Sequence, residues 1–85
     1  MKIQIIKRDG TTEEYGEFKV TRVVIAAGLK SDQAQALTSS VTKWLKSQPT
    51  SKYSSLQIRD KVIQELKKIN QDAANMYSWY EKTKD

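Results

Sequence analysis

The sequence predicts an α+β fold: a four-helix bundle capped by a small N-terminal β-hairpin or three-stranded sheet. Three observations carry this reading. An isoleucine-rich run leads straight into Asp9-Gly10, a turn dipeptide. From Glu17 onward the apolar residues recur at helical spacing. The breaks between the helical stretches are short, which favours antiparallel neighbours.

Ile3 to Lys7 reads as the first strand and Thr11 to Tyr15 as its return, with Gly16 ending it. Asp9-Gly10 suits a two-residue type I′ turn, in which both central residues take positive φ. Two strands alone are marginal in water, so the hairpin must lie on the helices. Val20, Val23, Val24 and Ala27 form the stripe of a first helix, which Gly28 stops. Ser31 can cap the second, with Asp32 at the positive end of its dipole and a stripe of Ala34, Leu37, Val41, Trp44 and Leu45.

Ser47 to Ser54 holds the only proline and reads as a loop, in which Tyr53 adds a brief extended stretch. Ser55 is expected to cap a third helix with the stripe Ile58, Val62, Leu66 and Ile69. Asn70 is its stop, and Asp72 the expected cap of a fourth helix carrying Ala73, Met76, Tyr77 and Tyr80. Trp44, Tyr77 and Tyr80 fall on apolar stripes and are expected in the core. Trp79 falls off its stripe, a hint of contact with another domain or subunit.

With 85 residues, the chain is expected to be one domain spanning 1–85. A domain of this size buries roughly 60–65 % of its unfolded surface, enough for one modest core. The chain has neither cysteine nor histidine. Disulfides, thiolate nucleophiles and thiolate zinc sites are thereby excluded, and no side chain titrates near neutrality unaided. The lack of disulfides favours an intracellular, cytoplasmic setting. Net charge is +5, which favours a polyanionic partner such as a nucleotide or nucleic acid. No apolar run approaches the roughly 20 residues of a membrane span, so no membrane role is expected.

The most informative stretch is Lys7-Arg8-Asp9-Gly10. A tight turn there sets a compact cation beside a planar one, a pair suited to polyphosphate. Glu13, on the returning strand, can accept bonds from an amino group or a ribose hydroxyl. Lys19, one turn into the first helix, can reach the same space. Taken alone, a charged hairpin tip is ordinarily solvated surface.

The pattern extends further. Ile5-Ile6-Lys7-Arg8-Asp9-Gly10, then Glu13, Tyr15 and Lys19-Val20 at fixed spacing, resembles the opening of the ATP-cone family. Ser54-Ser55-Leu56-Gln57-Ile58 is similar to the family's segment opening its third helix, and Ala73 to Tyr80 to its closing aromatic helix. The resemblance covers nearly the whole chain. It implies a regulatory module of the kind found in ribonucleotide reductases and in a transcriptional repressor of reductase genes, with ATP or dATP as ligand. It further implies that Lys7, Arg8 and Lys19 hold phosphates, that Glu13 contacts base or sugar, and that Ser55 binds at a helix N-terminus, an anion site in its own right. Any Mg²⁺ would arrive with the nucleotide.

Two positions depart from the family pattern. Tyr15 replaces the usual phenylalanine and needs a partner for its hydroxyl. Gly16 stands where a polar residue is common, loosening the approach to Lys19. Arg59 faces the expected pocket, where it either adds a phosphate contact or stands in solvent.

The function expected is therefore ATP or dATP sensing that controls an attached or associated protein through conformation or oligomerisation. The chain ends soon after the fourth helix, so a free-standing sensor and a piece of a larger host are both open. Nucleic-acid binding ranks second: Lys43, Lys46, Lys61, Lys67, Lys68, Lys82 and Lys84 are interleaved with Asp60, Glu65 and Glu81 and read mostly as solvated faces. A ligand-free interaction module is the third reading. Enzyme activity ranks last, since the chain lacks a P-loop pattern and clustered carboxylates.

Overall fold

The computed structural model describes residues 3–83, with side chains through Tyr80. The side chains of Glu81, Lys82 and Lys84 lie outside that range. The element order is β1 (Gln4–Ile6), β2 (Thr12–Glu14), α1 (Glu17–Ala26), α2 (Ser31–Ser47), β3 (Lys52–Ser54), α3 (Ser55–Ile69) and α4 (Gln71–Thr83). The α+β expectation holds, including the third strand at Tyr53. Among the described residues, no helix is long and apolar enough to cross a membrane.

The sheet has the order β2-β1-β3 and is mixed. β1 pairs antiparallel with β2, Ile5 opposite Glu13, and parallel with β3, Ile5 opposite Tyr53. A parallel pair needs a long crossover, here supplied by α1 and α2 together. Ile5, Glu13 and Tyr53 thus stand side by side on the face turned toward the helices and are the most buried residues of their strands. Tyr53 is held there by its hydroxyl, which donates to the Leu45 carbonyl at 2.6 Å, and by its ring, 5.8 Å from that of Trp44.

Beneath the sheet, α1 packs on α2, α2 on α3 and α3 on α4, while α1 touches α4 only lightly. Leu37, Leu45, Leu66, Val24, Val41 and Val62 are sealed in the core, as their spacing requires. α1 ends in a Schellman motif. Gly28, at φ +120°, lets its N–H bond the Ile25 carbonyl and lets Leu29 N–H reach the Val24 carbonyl, burying Leu29. Tyr15 finds its hydroxyl partner in Thr42 Oγ1 at 2.9 Å. That contact shields the phenol, and burial raises its pKa above the ordinary 10 despite the hydrogen bond.

Three expected caps move by one or two residues. The chain before α2 is capped at Lys30, whose N–H donates to Gln33 Oε1; Ser31 is already helical. α3 is capped by Ser54, not Ser55. Ser54 Oγ accepts from Gln57 N–H and Gln57 Oε1 accepts from Ser54 N–H, a capping box that Ser55 cannot form because the residue three beyond it is Ile58. Asn70, rather than Asp72, caps α4 by accepting from Ala73 N–H, while its own N–H closes α3 on the Leu66 carbonyl.

The apolar stripes also fail at three places. Ile69, the last residue of α3, and Met76 on α4 are exposed. Tyr80 is 47 % exposed because α4 follows α3 and leaves a gap toward α1. Trp44 is half-buried, with the Lys61 ammonium 5.4 Å from its ring centroid. Lys61 is only 18 % exposed and, among the described residues, is the exception to the lysines read as solvated.

The cap assignment is testable. Ser54→Ala is expected to destabilise the domain by about 1 kcal/mol in urea unfolding, while Ser55→Ala leaves the midpoint nearly unchanged. Equal losses would return the cap to Ser55.

Candidate functional site

The hairpin loop is built from Lys7 to Thr11. Gly10 N–H bonds the Lys7 carbonyl at 3.0 Å, and Lys7 N–H bonds the Thr11 carbonyl at 2.8 Å. Of the two residues expected at positive φ, only Gly10 has it, at +87°. The connection is therefore the three-residue kind, a turn followed by a left-handed glycine, and not type I′. Asp9 explains the difference. Its carboxylate accepts from Thr11 N–H at 3.0 Å and from Thr11 Oγ1 at 2.6 Å. The side-chain bond from Thr11 is the main cause of its lowered pKa, and Asp9 is spent on holding the loop.

Side chains alternate across a strand, so Ile3, Ile5 and Lys7 share one face of β1, the one that Glu13 shares on β2. A carboxylate on the helix side of a sheet needs partners. Glu13 Oε2 lies 3.3 Å from Lys7 Nζ and 3.6 Å from Lys19 Nζ. Burial pushes its pKa up, but the hydrogen bonds and charges of Lys7 and Lys19 outweigh this and bring it below the ordinary 4.5. Lys19 reaches Glu13 from the first turn of α1. Gly16 precedes that helix in ordinary extended backbone, φ −123°, with the Lys19 stem beside it.

These groups line a cleft of about 610 Å³ between the hairpin and the helices, within the size range of small-molecule sites. All five residues singled out from sequence, Lys7, Arg8, Glu13, Lys19 and Ser55, border it. So does Arg59, one turn after Ser55 on α3. Arg22, Leu56 and Tyr80 also border it and were missed. Arg22 had a signal, since it sits three residues after Lys19 on one helix face; Tyr80 was hidden by its place on an apolar stripe. Five cationic side chains line the cleft against two carboxylates, one of which the loop consumes.

A second, more apolar groove of about 260 Å³ lies between α1 and α4. It is walled by Ala26, Ala27, Met76 and Trp79, and it shares Arg22, Val23 and Tyr80 with the cationic cleft. Trp79 stands 63 % exposed at its edge, in keeping with its position off the helical stripe.

Fold and cleft together define a small α+β domain whose sheet closes a basic, nucleotide-sized cavity over a helical bundle. The chain belongs to the ATP-cone family: residues 3–85 match the ATP cone domain. ATP-cone domains are regulatory nucleotide-binding domains, with ATP and dATP as effectors. No curated protein matches the chain significantly.

The lowered Glu13 pKa gives a pH prediction. A carboxylate depressed on folding contributes stability that is present above its ordinary, unfolded value of 4.5 and lost as pH falls through its lower folded value. Glu13→Gln is expected to flatten the acid limb of a stability profile below pH about 4.5; an unaltered limb would show that the two lysines do not depress it.

Proposed function

We propose that the chain binds a nucleoside triphosphate, ATP or dATP, in the cationic cleft, and thereby controls an attached or associated protein. The observation that supports this most is convergence. Lys7 and Arg8 from the hairpin, Lys19 from α1 and Ser55 from α3 are distant in sequence and border one cavity. In this reading Lys7, Arg8 and Lys19 hold phosphates, and Ser55 donates from the first turn of α3. Because Ser54 forms the capping box, the Ser55 hydroxyl is left for that use.

Glu13 remains ionised at neutral pH and is an acceptor only. It suits a ribose hydroxyl or a base amino group, and it holds the lysines in place while the cleft is empty. Mg²⁺, where present, accompanies the nucleotide. No catalytic role is proposed, since the cleft offers cations to bind charge but no positioned base to activate water.

A ligand controls an output only if it favours one state over another. The shared walls support such a link. Arg22, Val23 and Tyr80 line both cavities, so a nucleotide that moves them also reshapes the apolar groove beside Trp79. Change in the exposed face of α1 and α4 is the route by which we read the signal leaving the domain, toward a second copy or a host protein.

Lys7→Ala with Arg8→Ala is expected to weaken ATP binding about 100-fold or more in calorimetry, since each charge-assisted contact is worth about 1.5–3 kcal/mol. Its melting temperature should stay close to that of the parent, because both side chains are exposed. Unchanged affinity would remove the hairpin from the site. Sedimentation velocity should separate the free and ATP-bound chain by a change in self-association; superimposable profiles would confine the response to conformation or a host.

A further inference from the structure

Two of the charges that organise the cleft hang from one short junction. Glu13 stands on β2 and Lys19 in the first turn of α1, with Oε2 and Nζ 3.6 Å apart. Only Tyr15 and Gly16 lie between the two elements. Gly16 leaves this junction free to turn. Its φ of −123° and ψ of 118° are ordinary extended backbone, so the conformation does not call for glycine. A Cβ there would meet the Lys19 stem at 3.8 Å and 4.0 Å, ordinary contact distances. Among the described residues, no side chain caps α1 at this point. The helix therefore starts from the most permissive residue, with no cap to fix its angle.

Tyr15 supplies the missing restraint. Its N–H donates to the Ile3 carbonyl at 2.8 Å, and its hydroxyl meets Thr42 Oγ1 of α2 at 2.9 Å. Thr42 is buried and the Tyr15 ring packs against the core, so water competes little for this bond. The residue before Gly16 is thus pinned both to the sheet and to α2. Tyr15 and Thr42 stand outside the cleft lining, so an effect of their bond on a ligand has to pass through Glu13 and Lys19.

We propose that Tyr15, through its hydroxyl bond to Thr42, is a positioning residue for the cleft. It holds the junction at Gly16 so that Lys19 stays within reach of Glu13 and of an incoming phosphate. The proposal rests on the nucleotide reading above for its ligand, but the positioning itself needs none. Affinity scales with the fraction of chains in the positioned form, and one neutral hydrogen bond sets how far that fraction moves.

Tyr15→Phe keeps the ring and removes only the bond. In calorimetry with ATP it is expected to weaken binding about 3-fold to 10-fold. Gly16→Ala narrows the freedom of the junction and should restore most of that loss when combined with Tyr15→Phe. Alone, it should leave the affinity within about 2-fold of the parent. Thr42→Val cuts the same bond from α2 and is expected to weaken ATP as Tyr15→Phe does; it decides the matter if Tyr15→Phe does not fold. A purely stabilising role predicts a lower melting temperature with unchanged ATP affinity in both variants, and that result overturns the proposal. So does a loss of affinity that Gly16→Ala fails to restore. Should the parent not bind ATP, the nucleotide reading fails and the Glu13 carboxyl decides on positioning. Burial raises its pKa, but Lys7 and Lys19 bring it below 4.5. Followed by NMR, that pKa should climb toward 4.5 in Tyr15→Phe and fall back in the double variant. A Glu13 titration identical in the parent and in Tyr15→Phe overturns the positioning role.

Discussion

Ile5 stands opposite Tyr53 and Ile6 opposite Ser54, so the strand that feeds α3 runs parallel to β1 in the middle of the sheet. Everything at the cleft depends on this pairing. Parallel strands cannot be joined by a tight turn, and the crossover has to carry α1 and α2 beneath the hairpin before the chain returns. Once it does, Ser54 and Ser55 emerge beside Ile6 and Lys7, and the first turn of α3 opens toward the hairpin cations. Tyr53 secures the arrangement from below, since its hydroxyl ties the sheet to the last turns of α2 through the Leu45 carbonyl.

The same geometry explains why a carboxylate occupies the inner face of so small a sheet. The position opposite Ile5 faces the helices, where an apolar residue would simply extend the core. Glu13 instead draws Lys7 and Lys19 together across two elements. The arrangement is half-exposed and screened, so its value to stability is modest; its value to binding is organisation. Two ammonium groups and a guanidinium-bearing loop would otherwise repel one another in the empty cleft. Asp9 does the complementary job inside the loop, where it fixes the turn and leaves the neighbouring cations to the cavity.

α1 is the element through which these parts communicate. Its first turn provides Lys19, its middle provides Arg22 and Val23, and its last turn provides Ala26 beside Ala27, walls of the apolar groove against α4. It packs firmly on α2, with Thr21 and Thr38 hydroxyls 2.7 Å apart, but only lightly on α4. A light contact is the place where small displacements are cheap, and it is where Met76, Trp79 and Tyr80 remain exposed.

The sequence by itself determined the elements and much of the site. Helical periodicity is local, so the stripes through Leu37, Val41, Val62 and Leu66 announced the core. Lys7, Arg8 and Glu13 were legible because a turn and a strand fix them within a few residues of each other. Caps were misread by small steps because neighbouring polar residues compete for them; Ser54 prevails over Ser55 only through Gln57, a signal that was present. Tertiary structure alone decided which distant residues meet. Nothing in the local pattern says that α4 leans on α3 and leaves Tyr80 uncovered, or that Arg59 of α3 borders the same cleft as the hairpin cations. Those outcomes arise from the crossover that sets α3 under the hairpin and from the packing of four helices around one core, and burial and partnership are properties of that packing rather than of the chain's order.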